Sequence, residues 1–259
     1  MIGLDVSIIS DEFEGCRGFD DVKRNVTTTI IGSLKNSGIM GVKPVKGCTI
    51  TGPPGAGKST FAKWMFSKLG IPVITIRASD VVSMYVGGTE EVIRSCFERA
   101  EIVKPCVVYF KDLGGLVGNR GYGKGEGGGN TVLATMLNCI DGAGGGGEGV
   151  LVVGEIEDRE ELDDALVRGG RMEGNIELGT VGEGWRDVIE GEFQDWNLGV
   201  NFDGSAIGLR CRDMLACEAV AYCNAVKEAA IDRVENEGED GVMERVEMKD
   251  FEEGWKTFR

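Results

Sequence analysis

A nine-residue run, Gly52-Pro53-Pro54-Gly55-Ala56-Gly57-Lys58-Ser59-Thr60, constrains this chain more than any other stretch. It satisfies the pattern G-x-x-x-x-G-K-[ST], the phosphate-binding P-loop. That pattern has meaning only between a strand and a helix, and both are legible. Lys46-Gly47-Cys48-Thr49-Ile50-Thr51 reads as a short strand, and Phe61 to Leu69 carries apolar residues at helical spacing. Glycines let the backbone close around an anion with its N–H groups turned inward. The helix N-terminus behind them adds partial positive charge. In such a loop Lys58 reaches the β- and γ-phosphates and the Ser59 hydroxyl ligates Mg²⁺. All nine residues are therefore expected to line a site for ATP or ADP. A Gly-Pro turn that binds nothing leaves the agreement of spacing, residue types and flanks unexplained.

After Gly41 the strand and helix signals alternate. Short β-branched apolar runs occur at Ile71 to Ile76, Cys106 to Phe110 and Val150 to Gly154, as buried parallel strands require. Helical patterns fall between them, over Thr89 to Ile102 and Asn130 to Ile140. This predicts a doubly wound parallel α/β sheet with ligands at the carboxyl ends of its strands. Gly114 to Asn130 and Gly142 to Gly149 are glycine-rich and read as loops. Beyond about Leu178 the strand signals stop. Gly204 to Glu235 reads as helical, with a short helix near Asp250 to Phe258. The expected organisation is an α/β nucleotide-binding domain over residues 1–179 and a smaller helical domain over 180–259.

Composition narrows the function classes. The chain has 259 residues, of which 42% are hydrophobic, enough for a substantial core. A net charge of −15 argues against nucleic acid and anionic membrane surfaces as partners. The sequence shows no transmembrane run, and Met1 to Ser10 lacks the basic start of a signal peptide, so a cytoplasmic setting is expected. The eight cysteines form no C-x-x-C pair and read as reduced thiols. There is no histidine, which excludes a histidine base or a histidine-ligated metal.

Taken together, these residues resemble a single module of the AAA ATPases over nearly the whole chain. Gly41 to Gly47 leads into the P-loop as in that family. Ser83-Met84-Tyr85-Val86-Gly87-Gly88-Thr89-Glu90 resembles its first pore loop, continued by Ile93, Arg94 and Phe97. Pro105 to Phe110 resembles the Walker B strand, and Leu162 to Arg171 the arginine-finger segment. Within the family, Val45-Lys46-Gly47, Ile140-Asp141-Gly142 and Gly170-Arg171-Met172-Glu173 are most like the first ATPase domain of the N-ethylmaleimide-sensitive fusion protein type. Cdc48-like modules are close competitors. The resemblance implies a homo- or hetero-hexameric ring that remodels protein clients delivered by adaptors, with SNARE bundles as the client if the subfamily likeness holds. It implies that the helical domain over 180–259 is a lid, with the nucleotide between the two domains. It implies that Gly15-Cys16-Arg17-Gly18 wraps the adenine, placing Cys16 at the nucleotide.

The departures from the family pattern bear on chemistry. The family's Walker B strand ends in Asp-Glu, where the Asp supports Mg²⁺ and the Glu polarises the attacking water. This sequence has Lys111 and Asp112 there, and Glu157 where the sensor asparagine falls. An ammonium repels Mg²⁺. An aspartate is one methylene shorter than glutamate, and a misplacement of about 1 Å can cost roughly 100-fold in rate. Asp112 is thus the remaining candidate for the water-polarising role, in a site expected to turn over slowly or not at all. Two neighbouring strand ends carrying Lys111 and Glu157 are expected to form an ion pair, extended by Asp112; alternatively Lys111 points at the phosphates.

Arg168 and Arg171 match the two arginines that reach a neighbour's γ-phosphate, and also read as solvated loop residues. Met84 and Tyr85 match the pore pair, or are core. Arg212 falls at the second-sensor position at the start of a lid helix, with Arg210 on another face, and is as readily a plain surface arginine. The acidic stretch Glu155 to Asp164 lacks metal-loop spacing and reads as a solvated turn, as does Glu235 to Asp240. Two functions remain open: a remodelling ATPase with weakened turnover, and a non-hydrolysing nucleotide-binding subunit. With nothing resembling a client-binding domain before residue 13 or a second ATPase domain, the sequence is expected to be a fragment or a minimal protein that depends on partners.

Overall fold

Strands β1 (Asp5–Ser7), β2 (Gly47–Thr51), β3 (Val73–Arg77), β4 (Cys106–Lys111), β5 (Val150–Ile156) and β6 (Gly174–Glu177) form one sheet in the order β1-β3-β4-β5-β2-β6. The computed structural model describes residues 5–9, 13, 15–36, 44–82, 88–117, 128–142, 149–196, 204–237 and 246–259. Every pairing is parallel except β1 with β3. The doubly wound parallel α/β sheet is thus as expected, with one antiparallel strand, β1, added at its edge. β2 and β5 are buried at every residue, as continuous β-branched runs in a central position should be.

The chain divides into two compact units. The first comprises Met1–Gly15, Asp21–Pro54 and Lys58–Leu178; the second comprises Cys16–Asp20, Gly55–Gly57 and Gly179–Arg259. In the first, α1 (Asp20–Val26) runs through a π-helical turn at Thr27–Ile31 into α2 (Gly32–Lys35). α3 (Lys58–Leu69) follows the P-loop, then α4 (Ala78–Val82), α5 (Gly88–Val103), α6 (Leu113–Val117), α7 (Gly128–Ile140) and α8 (Asp164–Val167). One face of the sheet, with Ile74, Val108, Phe110 and Val152, packs on Ile93 and Cys96 of α5, Leu113 of α6 and Met136 of α7. On the other face Phe66 of α3 meets Tyr109 of β4 edge-on at 5.0 Å.

Gly114 to Asn130 is not one loop. Leu113, Leu116 and Val117, spaced for one helical face, are buried in the core as α6, and this packing overrides the weak helix propensity of Gly114 and Gly115. Gly128 to Asn130 already belong to α7, and 118–127 and 143–148 lie outside the described residues. Gly154 has a steric reason: a Cβ there would collide with Leu113, so only glycine lets α6 approach β5 this closely.

The second unit is helical, with α9 (Trp185–Glu192), α10 (Gly204–Cys211), α11 (Ala216–Glu237) and α12 (Met248–Phe258). The stretch expected as one helix from Gly204 is two, α10 and α11, separated at Arg212 to Leu215. Tyr222 of α11 is fully buried against Phe251 and Trp255 of α12, and its hydroxyl donates to the Phe251 carbonyl at 3.0 Å. Arg233 of α11 donates to both carboxylate oxygens of the buried Asp250, at 2.8 and 3.0 Å.

Candidate functional site

β2 lies between β5 and β6, while the helix leaving it leads to β3, on the far side of β5 and β4. Its carboxyl end is thus a topological switch point, where open α/β sheets bind ligands. Gly52, Gly55 and Gly57 sit there with φ of 147°, 86° and 89°, values that exclude side-chain-bearing residues without strain. The Gly52 N–H donates to the Glu157 carbonyl at 3.1 Å, and the Gly55 carbonyl accepts from the Cys217 N–H at 3.0 Å. Any Cβ on Gly55 would meet the Cys217 sulfur. Pro53, Pro54 and Thr60 are exposed, and Ala56 is buried. α3 starts at Lys58, so its free N–H groups open at the loop. The Lys58 ammonium donates to the carbonyls of Gly52 at 2.5 Å and Pro53 at 3.0 Å, folded against its own loop.

One turn into that helix, the Ser59 hydroxyl donates to Glu155 Oε2 at 3.0 Å. Glu155 lies on β5 in register with Ile50 of the P-loop strand. It is 5% exposed, and its other oxygen accepts from the Tyr109 hydroxyl. Burial, and then the Glu155 charge, push the Tyr109 phenol well above its ordinary pKa, so it remains the donor. Glu155 therefore does not belong to the solvated turn expected over Glu155 to Asp164: it is a buried residue of β5. Further along the same stretch the acids do cap helices: Asp158 accepts from the Glu160 N–H at 2.9 Å and Asp163 from the Ala165 N–H at 2.8 Å. Among the described residues no group of three or more such side chains could hold a metal unaided. A serine hydroxyl beside a carboxylate is nevertheless an all-oxygen set suited to a hard cation bound with phosphates.

The strand-end substitutions do not behave as expected. Lys111 and Glu157 are both exposed, and no ion pair joins them among the described residues. Register explains this. Phe110 aligns with Gly154, so Lys111 comes level with Glu155, while Glu157 lies past the end of β5. On its other side Lys111 aligns with Arg77. Asp112 turns away from the strand with φ of 64°, and its Oδ1 accepts from the Gly115 N–H at 3.2 Å, capping α6.

The two arginines of the finger segment part company. Arg171 is held by Asp141 through two hydrogen bonds of 2.8 and 2.6 Å and by the Ala165 carbonyl at 2.6 Å. Those bonds lower the Asp141 pKa and raise that of Arg171. Arg168 ends α8, is exposed, and makes no side-chain hydrogen bond or ion pair among the described residues. Arg212 follows α10 rather than starting a helix, and its guanidinium pairs with Glu183. Arg210 lies over the Trp255 ring at 5.3 Å and bonds Glu252 at 3.1 Å, a contact within the second unit. Cys16 is buried in the segment Cys16–Asp20, beside Gly18, whose φ is 73°. Met84 and Tyr85 lie outside the described residues.

Glu155, Tyr109 and Asp141 are the site-forming side chains that sequence reasoning missed. For Glu155 there was a signal: a carboxylate directly continuing the apolar run Val150 to Gly154 is in a buried strand, not a turn.

An intact P-loop at the switch point of this sheet places the chain in the class of P-loop nucleotide-binding folds. The family model described as "ATPase family associated with various cellular activities (AAA)" matches residues 48–180, and the chain belongs to that family. Its curated relatives include "Peroxisomal ATPase PEX6" of Debaryomyces hansenii, 31% identical over 237 residues and covering 87% of this chain. The PEX6 proteins of Yarrowia lipolytica and Pichia angusta are 31% and 33% identical, each covering 85% of this chain. The chain spans 20 to 22% of the length of these relatives. They are peroxisomal ATPases, so the expected likeness to the fusion-protein type gives way to the family as a whole. AAA proteins in general bind ATP or ADP with Mg²⁺ and remodel other proteins. No described helix is long and apolar enough to cross a membrane.

Proposed function

We propose that this chain is the nucleotide-binding module of a ring-forming protein-remodelling ATPase, and that it holds ATP while hydrolysing it slowly or not at all. One contrast carries this conclusion. The P-loop from Gly52 to Thr60 is intact and shaped by three positive-φ glycines, while the end of β4 offers an exposed Lys111 and an Asp112 committed to capping α6. Binding chemistry is retained; the acid that polarises water in the family is not in place. Family membership supports reading it as part of a ring, a homo- or hetero-hexamer in the cytoplasm serving protein clients through adaptors. The naming of the relatives supports a peroxisomal setting, and gives no support to SNARE bundles as clients.

Arg168 favours a second possibility, that turnover survives in the assembled ring. Its exposed guanidinium at the end of α8 is available to a phosphate bound by a neighbouring subunit. Calorimetric titration with ATP, combined with steady-state phosphate release across a range of protein concentrations, separates the alternatives. Tight binding with negligible release at every concentration is expected. Release that climbs steeply as the chain self-associates favours the active ring, and absence of binding rejects both.

A further inference from the structure

Glu155 is a buried carboxylate that accepts from two hydroxyl donors. Among the described residues its only side-chain partners are Ser59 and Tyr109, and no lysine or arginine pairs with it. Removing an anion from water is costly unless a positive charge or several strong donors compensate, and two neutral hydroxyls compensate only in part. The arrangement is therefore incomplete, and it is incomplete beside the serine whose hydroxyl, in P-loop proteins, ligates Mg²⁺. In that class the second support for the ion is an acid at the end of the Walker B strand. Here that strand is β4, and its end carries an exposed Lys111.

We infer that Glu155 supplies the missing acid from the next strand over, moving the support for Mg²⁺ from the end of β4 to β5. The topology makes this possible. β5 pairs directly with the P-loop strand, and the register sets Glu155 beside Ile50, two residues before the loop begins. From there its Oε2 accepts a hydrogen bond from the Ser59 hydroxyl at 3.0 Å, leaving the serine lone pairs for the cation that accompanies the nucleotide. Tyr109 holds Oε1, which fixes the carboxylate plane. Glu155 is thus a positioning residue. It acts on the ion through Ser59 and through its own negative charge, and it explains how a chain with lysine at the usual place retains a use for Ser59.

This inference rests on nucleotide binding at the P-loop, and its test separates the two. Affinity for a fluorescent ADP analogue is measured with Mg²⁺ and with chelator, for the wild type and for Glu155→Gln, which keeps the size and removes the charge. Mn²⁺ binding to the ADP-loaded chain is followed in parallel by electron paramagnetic resonance. In the wild type, Mg²⁺ tightens binding. In Glu155→Gln that enhancement and the Mn²⁺ affinity should fall by about tenfold or more, as expected for outer-sphere partners of a metal, while metal-free affinity persists. Tyr109→Phe retains the charge and should retain most of the enhancement. A double variant, Lys111→Asp with Glu155→Leu, returns the acid to β4 and should recover Mn²⁺ binding, which a merely structural Glu155 would not allow. The double variant also serves if Glu155→Gln fails to fold. Wild-type binding that ignores Mg²⁺, or an undiminished enhancement in Glu155→Gln, overturns the inference and leaves nucleotide binding standing. Failure of the wild type to bind the analogue at all rejects the nucleotide site itself.

Discussion

Lys58 shows how a single residue can be read from sequence and then sharpened by geometry. The motif names it as the phosphate contact. The structure adds that its ammonium already bonds two carbonyls of its own loop, so phosphate oxygens have to compete with Gly52 and Pro53. Charge-assisted hydrogen bonds contribute about 1.5–3 kcal/mol each, and losing one or two of them corresponds to about a 100-fold loss of affinity. Lys58→Ala should therefore weaken ATP binding by roughly that factor in a titration. Equal affinity in the variant would remove the P-loop from the account. Glu155 is the opposite case, since its role depends on a partner 96 residues away. No spacing rule reaches across a strand register that only folding sets.

Elements differ in how much of them the sequence exposes, and the reasons are local. The runs that became β3, β4 and β5 are β-branched and continuous, because parallel strands covered on both faces have no polar side to show. β6 escaped notice because its four residues, Gly174 to Glu177, include one buried side chain, Ile176, and hold their extended form by pairing with β2. α6 escaped because Gly114 and Gly115 mask an apolar stripe. Its start is fixed by Asp112, which assigns that aspartate a structural duty. Asp112→Ala should lower stability by about 1 kcal/mol through loss of the cap, whereas Asp112→Asn, which keeps an acceptor, should lose less than half of that. Denaturant midpoints decide it. Equal stability in both variants would return Asp112 to the candidates for water activation.

At the scale of the whole molecule, Arg168 and Arg171 separate assembly from folding. Arg171 is tied within the first unit to Asp141 and the Ala165 carbonyl of α8, so its removal acts on stability. The pair is partly exposed, and a contribution of no more than about 1 kcal/mol is expected at pH 7. The sign with pH follows from Asp141, whose pKa is lowered by the Arg171 hydrogen bonds. The contribution is fully present above the ordinary aspartate pKa of about 4 and disappears as pH falls through the depressed folded value. The gap in melting temperature between wild type and Arg171→Ala should thus close in acid. Arg168→Ala should leave the melting curve unchanged and instead weaken ATP-dependent self-association in sedimentation, because its guanidinium has no partner among the described residues of its own chain. A strict monomer with ATP at high concentration would contradict the ring.

The most direct test of a module that keeps ATP without consuming it is to identify the nucleotide it holds. The chain is incubated with ATP and Mg²⁺ at a concentration that favours self-association, separated from free nucleotide, and denatured, and the released nucleotide is resolved by chromatography. The account predicts intact ATP bound near stoichiometrically after many hours. Bound ADP with phosphate in solution would contradict it and show that hydrolysis proceeds despite Lys111 and Asp112.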